Sequence, residues 1–166
     1  MKKVLALVLG LFMLGAAVTG CSAKKTDTTP AAKDDKVLAV NKDKKEVRII
    51  AEVNAKYFTE STRHGVVFKN GSNGEKAVLR GLADEKEFNK ALEDIGAKAG
   101  NNLTAADKGK GVKVEGSDLE VKVTWDGLGK ELPFGDIITS SDPRPMKVKY
   151  GGNLEAAKKN NTGCIL

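Results

Sequence analysis

The chain has 166 residues, of which 40% are hydrophobic, 5% aromatic and 30% charged, with 28 Lys and Arg against 22 Asp and Glu for a net charge of +6. The basic excess is dispersed through mixed-sign stretches such as NKDKKE and DKGKGVKVEGSD, and so few rings give no stacking platform, which excludes a nucleic-acid-binding face. One histidine and two cysteines fall short of the roughly four ligands a zinc or iron–sulfur site takes, so the residues present hold no metal and no cofactor.

The first twenty residues read as a targeting segment. Lys2 and Lys3 form a basic start, and an uncharged, mostly apolar run follows from Val4 to Val18. That run is shorter than the ~20 residues a helix needs to cross a bilayer. After it come Val18, Thr19, Gly20 and Cys21, which resemble the lipobox of bacterial lipoproteins. The resemblance implies that the Cys21 thiol is alkylated by a diacylglyceryl group, that the bond between Gly20 and Cys21 is cut, and that the cysteine becomes the new N-terminus. Small residues at Thr19 and Gly20 leave the backbone open to a protease at the membrane face. Two or more acyl chains hold a protein stably where one does so marginally, so the partner implied is the lipid bilayer, through Cys21. The location implied is extracytoplasmic and lipid-anchored. Cleavage removes Lys2 and Lys3 and no acid, lowering the net charge from +6 to +4. Ser22 to Lys36, polar and without a periodic apolar face, is a flexible spacer.

From residue 37 to 166 one domain is expected, large enough to bury a core. Val37 to Val40 and the alternating Val47, Ile49, Ala51 and Val53 face each other across NKDKK as a β-hairpin. GVVFK and KAVLRGL flank NGSNG, whose Asn and Gly residues accept positive φ, and predict a second hairpin. Asp84 caps a helix with Glu87 three residues on; Phe88, Ala91, Leu92 and Ile95 make its buried stripe, and Gly96 stops it.

NNLTAADKGKG is a polar connection. Period-two order returns in VKVEGSDLEVKVTWDG, with Leu119, Val121, Val123 and Trp125 on one face. A further strand is predicted through ELPFGDII, an irregular loop at SSDPRPM, a short strand at KVKY, and a closing helical turn or two over NLEAAKKN capped by Asn153. The fold class is α+β with a mainly antiparallel sheet.

VNAKYFTESTRHGVVFKNGSNGEKAVLRGLADEKEFNKALEDIGAKAGNNLT, followed by VTWDGLGKE and RPMKVKYGGNLEAAKKNNTGC, resembles the YdjY-type domain of bacteria. The likeness runs from about Val37 to the end and implies a loose association with ferredoxin-type proteins, without a defined reaction. It also implies more cysteines after the NTGC segment: a second one three positions beyond the first, then a further cysteine followed by proline. A C-x-x-C followed by C-P is similar to iron–sulfur ligation or a dithiol pair. Cys164 matches the first position, and the second would stand immediately after Leu166.

Two readings of that ending differ in class. In one the chain is complete, a tethered binding or structural module of the envelope with one leftover thiol and no assigned protein partner. In the other it is cut short after the first cysteine of a C-x-x-C or C-x-x-U motif, a UGA codon that encodes selenocysteine being one cause, and the full protein is a redox or iron–sulfur module. A lipidated Cys21 is a thioether and unavailable to pair with Cys164.

The remaining candidates are individual side chains. His64, the one histidine, lies in STRHGVVF beside Arg63, either as a general base or as a group satisfying loop hydrogen bonds. Arg144, between Pro143 and Pro145, is held stiffly and presents its guanidinium to a carboxylate or a partner. Asp126 in TWDG reads as a turn residue, and NGSNG and KGKG lack the P-loop spacing. No complete catalytic constellation emerges.

Overall fold

The computed structural model describes residues 4–10, 36–142 and 144–166. The strand order is built outward from two alternating segments, β3 (Glu46–Val53) and, later in the chain, a strand at Asp118–Trp125. In β3 the residues Val47, Ile49 and Ala51 are buried while their neighbours are half-buried, the alternation of a strand with one face on the core. β2 (Leu38–Asn41) pairs antiparallel with it, Asn41 opposite Glu46, so the first predicted hairpin is present.

The second hairpin is not. β4 (His64–Phe68) and β5 (Ala77–Gly81) lie parallel, His64 opposite Ala77 and Phe68 opposite Gly81. A parallel pair needs a connection that carries the chain back along its own length, which usually takes a dozen residues or more. Here Lys69 to Lys76 does it through stacked tight turns: the Gly71 N–H donates to the Phe68 carbonyl (2.9 Å), Gly74 to Gly71 (2.9 Å) and Lys76 to Asn73 (2.8 Å). None of the Asn or Gly residues in NGSNG has positive φ. Its glycines serve close approach instead, since a Cβ on Gly74 would sit 2.2 Å from the Lys69 carbonyl oxygen.

β5 runs antiparallel to the end of β3 and leads into α1 (Glu85–Asp94). Asp84 accepts the Lys86 N–H at 2.8 Å as N-cap, Phe88, Ala91, Leu92 and Ile95 are buried against the sheet, and Gly96 closes the helix at φ +93°. β6 (Asp118–Trp125) buries Val121 and Val123, as its alternation predicts, whereas Val112 in the preceding VKV is exposed and outside any strand. ELPFGDII shrinks to the two-residue β7 (Leu132–Pro133) and a 3-10 turn at Phe134–Ile137 with Phe134 in the core. Pro133 has no N–H with which to extend a ladder.

β8 (Val148–Lys149) pairs with the start of β6, and α2 (Leu154–Asn160) follows. Asn153 precedes α2 but does not cap it with its side chain: its backbone is left-handed (φ +47°), not extended as an N-cap requires, and its N–H donates to the Asn101 carboxamide at 2.6 Å.

Residues Val4–Gly10 form β1, antiparallel to both β3 and β6 and lying between them. Leu7 stands in the row between Ile49 and Val123, and Leu9 between Val47 and Val121. An uncharged apolar run is suited to the hydrocarbon of a bilayer and equally to a central strand, which explains how the first half of the expected leader finds a place in the sheet. The molecule is therefore α+β with a mainly antiparallel sheet, and the one parallel pair among the described residues is β4 with β5. No helix among the described residues is long and apolar enough to cross a membrane.

Candidate functional site

The last residues of the chain, 163–166, run along the free edge of β4. Phe68 N–H donates to the Gly163 carbonyl (2.7 Å), Ile165 and Leu166 donate to the Val66 carbonyl (3.0 and 2.9 Å), and Cys164 bridges antiparallel to Val67. The approach depends on small residues. Gly163 has φ +71°, and a Cβ on Gly71 would fall 2.7 Å from the Gly163 Cα and the Thr162 carbonyl oxygen. Ile165 and Leu166 pack against the core, the latter beside Gly65.

This edge pairing brings together two residues a hundred positions apart. Cys164 Sγ lies 3.9 Å from Nδ1 of His64, at the start of β4. The imidazole is half-buried and the thiol exposed. The His64 N–H donates to the Thr62 hydroxyl (3.2 Å), whose own O–H donates to the Lys76 carbonyl, so the loop entering β4 is tied to the base of β5. Loop hydrogen bonds therefore fix the backbone of His64 and leave its ring directed at sulfur. An imidazole in this position can accept a thiol proton and leave a thiolate, which is the nucleophilic form of cysteine.

The pair lies on the wall of a cleft of about 1590 Å³. The 3-10 turn Ala55–Phe58, Phe134, Met146 and the terminal strand contribute apolar lining, and Arg63 stands at the rim beside His64. Phe58 is 76% exposed and Met146 46%, large apolar side chains left facing the opening. Neither drew notice as a sequence feature. The adjacent rings of Tyr57 and Phe58 are the one hint, because a short turn cannot bury two consecutive bulky residues.

Arg144 is not among the residues lining the cleft. Its guanidinium meets a carboxylate two residues away, that of Asp142, through Nε (2.9 Å) and Nη2. That guanidinium, with the Arg144 backbone N–H, holds the Asp142 carboxyl down at about 2, and the carboxylate in turn raises Arg144. Asp126 is exposed in the turn after β6, where the Leu128 N–H donates to the Trp125 carbonyl (3.0 Å). Tyr150, also among the residues lining the cleft, buries its ring and donates its hydroxyl to the Asn89 carbonyl (3.3 Å) and Glu93 Oε1 (3.4 Å); burial and the Glu93 charge push that hydroxyl well above its ordinary pKa.

Val18, Thr19, Gly20 and Cys21 lie outside the described residues. Cys164 is the one thiol among the described residues, and no group of three or more His, Cys, Asp or Glu stands together there.

Comparison with known proteins gives the same answer at both scales. The YdjY domain model matches residues 38–166, from the first strand of the hairpin to the terminal strand that carries Cys164. A protein of Escherichia coli (strain K12) named "Uncharacterized protein YdjY" is 34% identical over 155 residues, covering 91% of this chain and 68% of that protein. No solved structure matches. A match that takes in the hairpin, the helix and the edge-strand cysteine alike means that this chain belongs to the YdjY domain family.

Proposed function

We propose that this chain is a lipid-anchored, extracytoplasmic bacterial protein, tethered through Cys21, whose YdjY domain is a binding module with one reactive thiol at the side of its cleft. The observation that carries the module's chemistry is the 3.9 Å approach of Cys164 Sγ to His64 Nδ1 beside a 1590 Å³ apolar-lined opening. A ligand held in that cleft and bearing a disulfide is attacked by the Cys164 thiolate. His64 takes the thiol proton, a new S–S bond forms to Cys164, and the ligand's second sulfur leaves as a thiolate. The tether rests on the basic start, the apolar run and the Val18–Cys21 lipobox.

Two measurements test the reading. Protein isolated from membranes carries acyl groups on an N-terminal Cys21; a free thiol there with Met1 retained removes the tether. Reaction of Cys164 with an aromatic disulfide at pH 7 slows several-fold in His64→Ala and is lost in Cys164→Ser. An unchanged rate in His64→Ala makes Cys164 an ordinary surface thiol.

A second reading, that Cys164 opens a C-x-x-C or C-x-x-U pair in a longer redox or iron–sulfur protein, is favoured by the direction of the terminal strand. Residues 164 to 166 run antiparallel to β4 toward His64, so a residue following Leu166 would enter beside the imidazole. The genomic sequence past the Leu166 codon tests it: UAA or UAG, or UGA with no cysteine codons in frame after it, rules it out.

A further inference from the structure

We propose that processing at Cys21 opens a strand-wide slot between β3 and β6, and that the mature domain receives there an uncharged, apolar, extended segment of another polypeptide, antiparallel to both strands. The proposal rests on the tether reading above, because it is cleavage that removes β1.

The slot follows from topology. β1 pairs antiparallel with β3 from Val4 opposite Glu52 to Gly10 opposite Glu46, and with β6 from Leu5 opposite Trp125 to Gly10 opposite Glu120. β3 and β6 are consequently parallel to each other and two inter-strand spacings apart, roughly 9.5 Å. Removing β1 leaves two facing edges of unpaired N–H and C=O groups, flanked by the buried Val47, Ile49, Ala51, Val121 and Val123. Unpaired backbone groups beside apolar side chains are strongly disfavoured, and paired edges of this kind accept an extended chain.

Closure of β6 onto β3 is opposed by contacts that do not involve β1. The Tyr150 hydroxyl donates to the Asn89 carbonyl of α1 (3.3 Å), the Ser117 N–H to the Lys98 carbonyl (2.9 Å), and the Gly100 N–H to the Tyr150 carbonyl (3.1 Å). Gly65 lies under the Phe134 ring, where a Cβ would come within 3.2 Å. These contacts span from the β6 side to α1 and β4, and moving β6 across by one strand breaks them together.

The chemistry of the occupant is that of the strand the slot already holds. VLALVLG carries no charge, places an apolar residue in each of the three rows shared with Ala51 and Trp125, Ile49 and Val123, and Val47 and Val121, and ends with Gly beside Glu46 and Glu120. The polar spacer Ser22 to Lys36 has no seven-residue stretch of that kind.

The test uses protein purified from membranes, with its mass measured first. A mass that includes residues 1–20 defeats the tether reading and leaves the slot filled by its own strand. In processed protein, amide hydrogen exchange along the inner edges of β3 and β6 is expected to run ~100-fold faster than on the β2-facing edge of β3. Adding the synthetic peptide KKVLALVLG restores protection at one peptide per chain, and a peptide with proline in place of the second leucine of VLALVLG does not, because proline cannot complete the ladder. Full protection of both inner edges without peptide overturns the proposal, whether a second copy, the spacer or closure of the sheet supplies it. Light scattering then distinguishes a dimer from a monomer. Failure of KKVLALVLG to bind a processed chain with exposed edges overturns it as well.

Discussion

Gly71→Ala is the sharpest test of how the site is assembled. The new Cβ meets Gly163 Cα and the Thr162 carbonyl oxygen at 2.7 Å and the Gly163 nitrogen at 2.9 Å. These are backbone atoms on both sides, so no rotamer relieves the conflict and the terminal strand must move off β4. Three hydrogen bonds lie next to the contact: Ser72 N–H to the Asn161 carbonyl (2.8 Å), Asn73 N–H to Thr162 (3.4 Å) and Phe68 N–H to Gly163 (2.7 Å). At about 0.5–1.5 kcal/mol net for each, their loss weakens docking of the strand by about 2–4 kcal/mol. Because a tenfold change corresponds to about 1.4 kcal/mol, the Phe68 amide should exchange roughly 30- to 700-fold faster, with Ile165 and Leu166 following. The same variant should slow the disulfide reaction of Cys164 to the level of His64→Ala, since the thiol leaves the imidazole. Gly135→Ala is the control: its Cβ finds only Met146 Cβ, at an ordinary 3.9 Å. Wild-type exchange at Phe68 in Gly71→Ala would show that the strand is not held by this approach, and the Cys164–His64 pair would lose its structural basis.

Two further outcomes concern the scaffold. Asp84→Ala removes the acceptor of the Lys86 N–H and should lower stability by about 0.5–2 kcal/mol in urea unfolding, with Asp84→Asn recovering most of it. Tyr150 is held protonated by burial and by Glu93, so its contribution is intact below the ordinary tyrosine pKa near 10 and is lost as pH rises through the higher folded value. Urea titrations from pH 8 to 11.5 should show stability falling above pH ~10 and a shallower fall in Tyr150→Phe.

Where local chemistry and tertiary environment agree, the sequence was legible. Asp84, the stripe Phe88, Ala91, Leu92 and Ile95, and Gly96 all specify the same helix, and the alternation of Val47, Ile49 and Ala51 needs only one buried face. NGSNG misled because asparagine and glycine signal positive φ, while here glycine is needed for closeness of backbone, which leaves no mark in sequence until the neighbour is known. Asn153 misled likewise: asparagine tolerates the left-handed region as readily as it caps, and the contact with Asn101 selects the former. His64 and Cys164 each stood out, but their meeting is set by strand pairing across a hundred residues. Periodicity reports which face is buried and carries no information about which edge a distant strand will choose.

The apolar run at the start of the chain is asked to satisfy two hosts that exclude one another. Gly10 is the last residue of β1, and Cys21 follows eleven residues later, a reach of at most about 40 Å when fully extended. With Val4–Gly10 hydrogen-bonded on both edges inside the sheet, those residues are not available to a bilayer, and a protease acting just above the membrane meets a folded domain instead of a leader. A leader lying in hydrocarbon, conversely, leaves β3 and β6 unbridged. Occupancy of the slot and insertion in the membrane thus compete for the same apolar segment. On the proposed reading, in which cleavage at Cys21 removes β1, the buried valines of β3 and β6 that favour the first would make the domain an acceptor for something chemically like it.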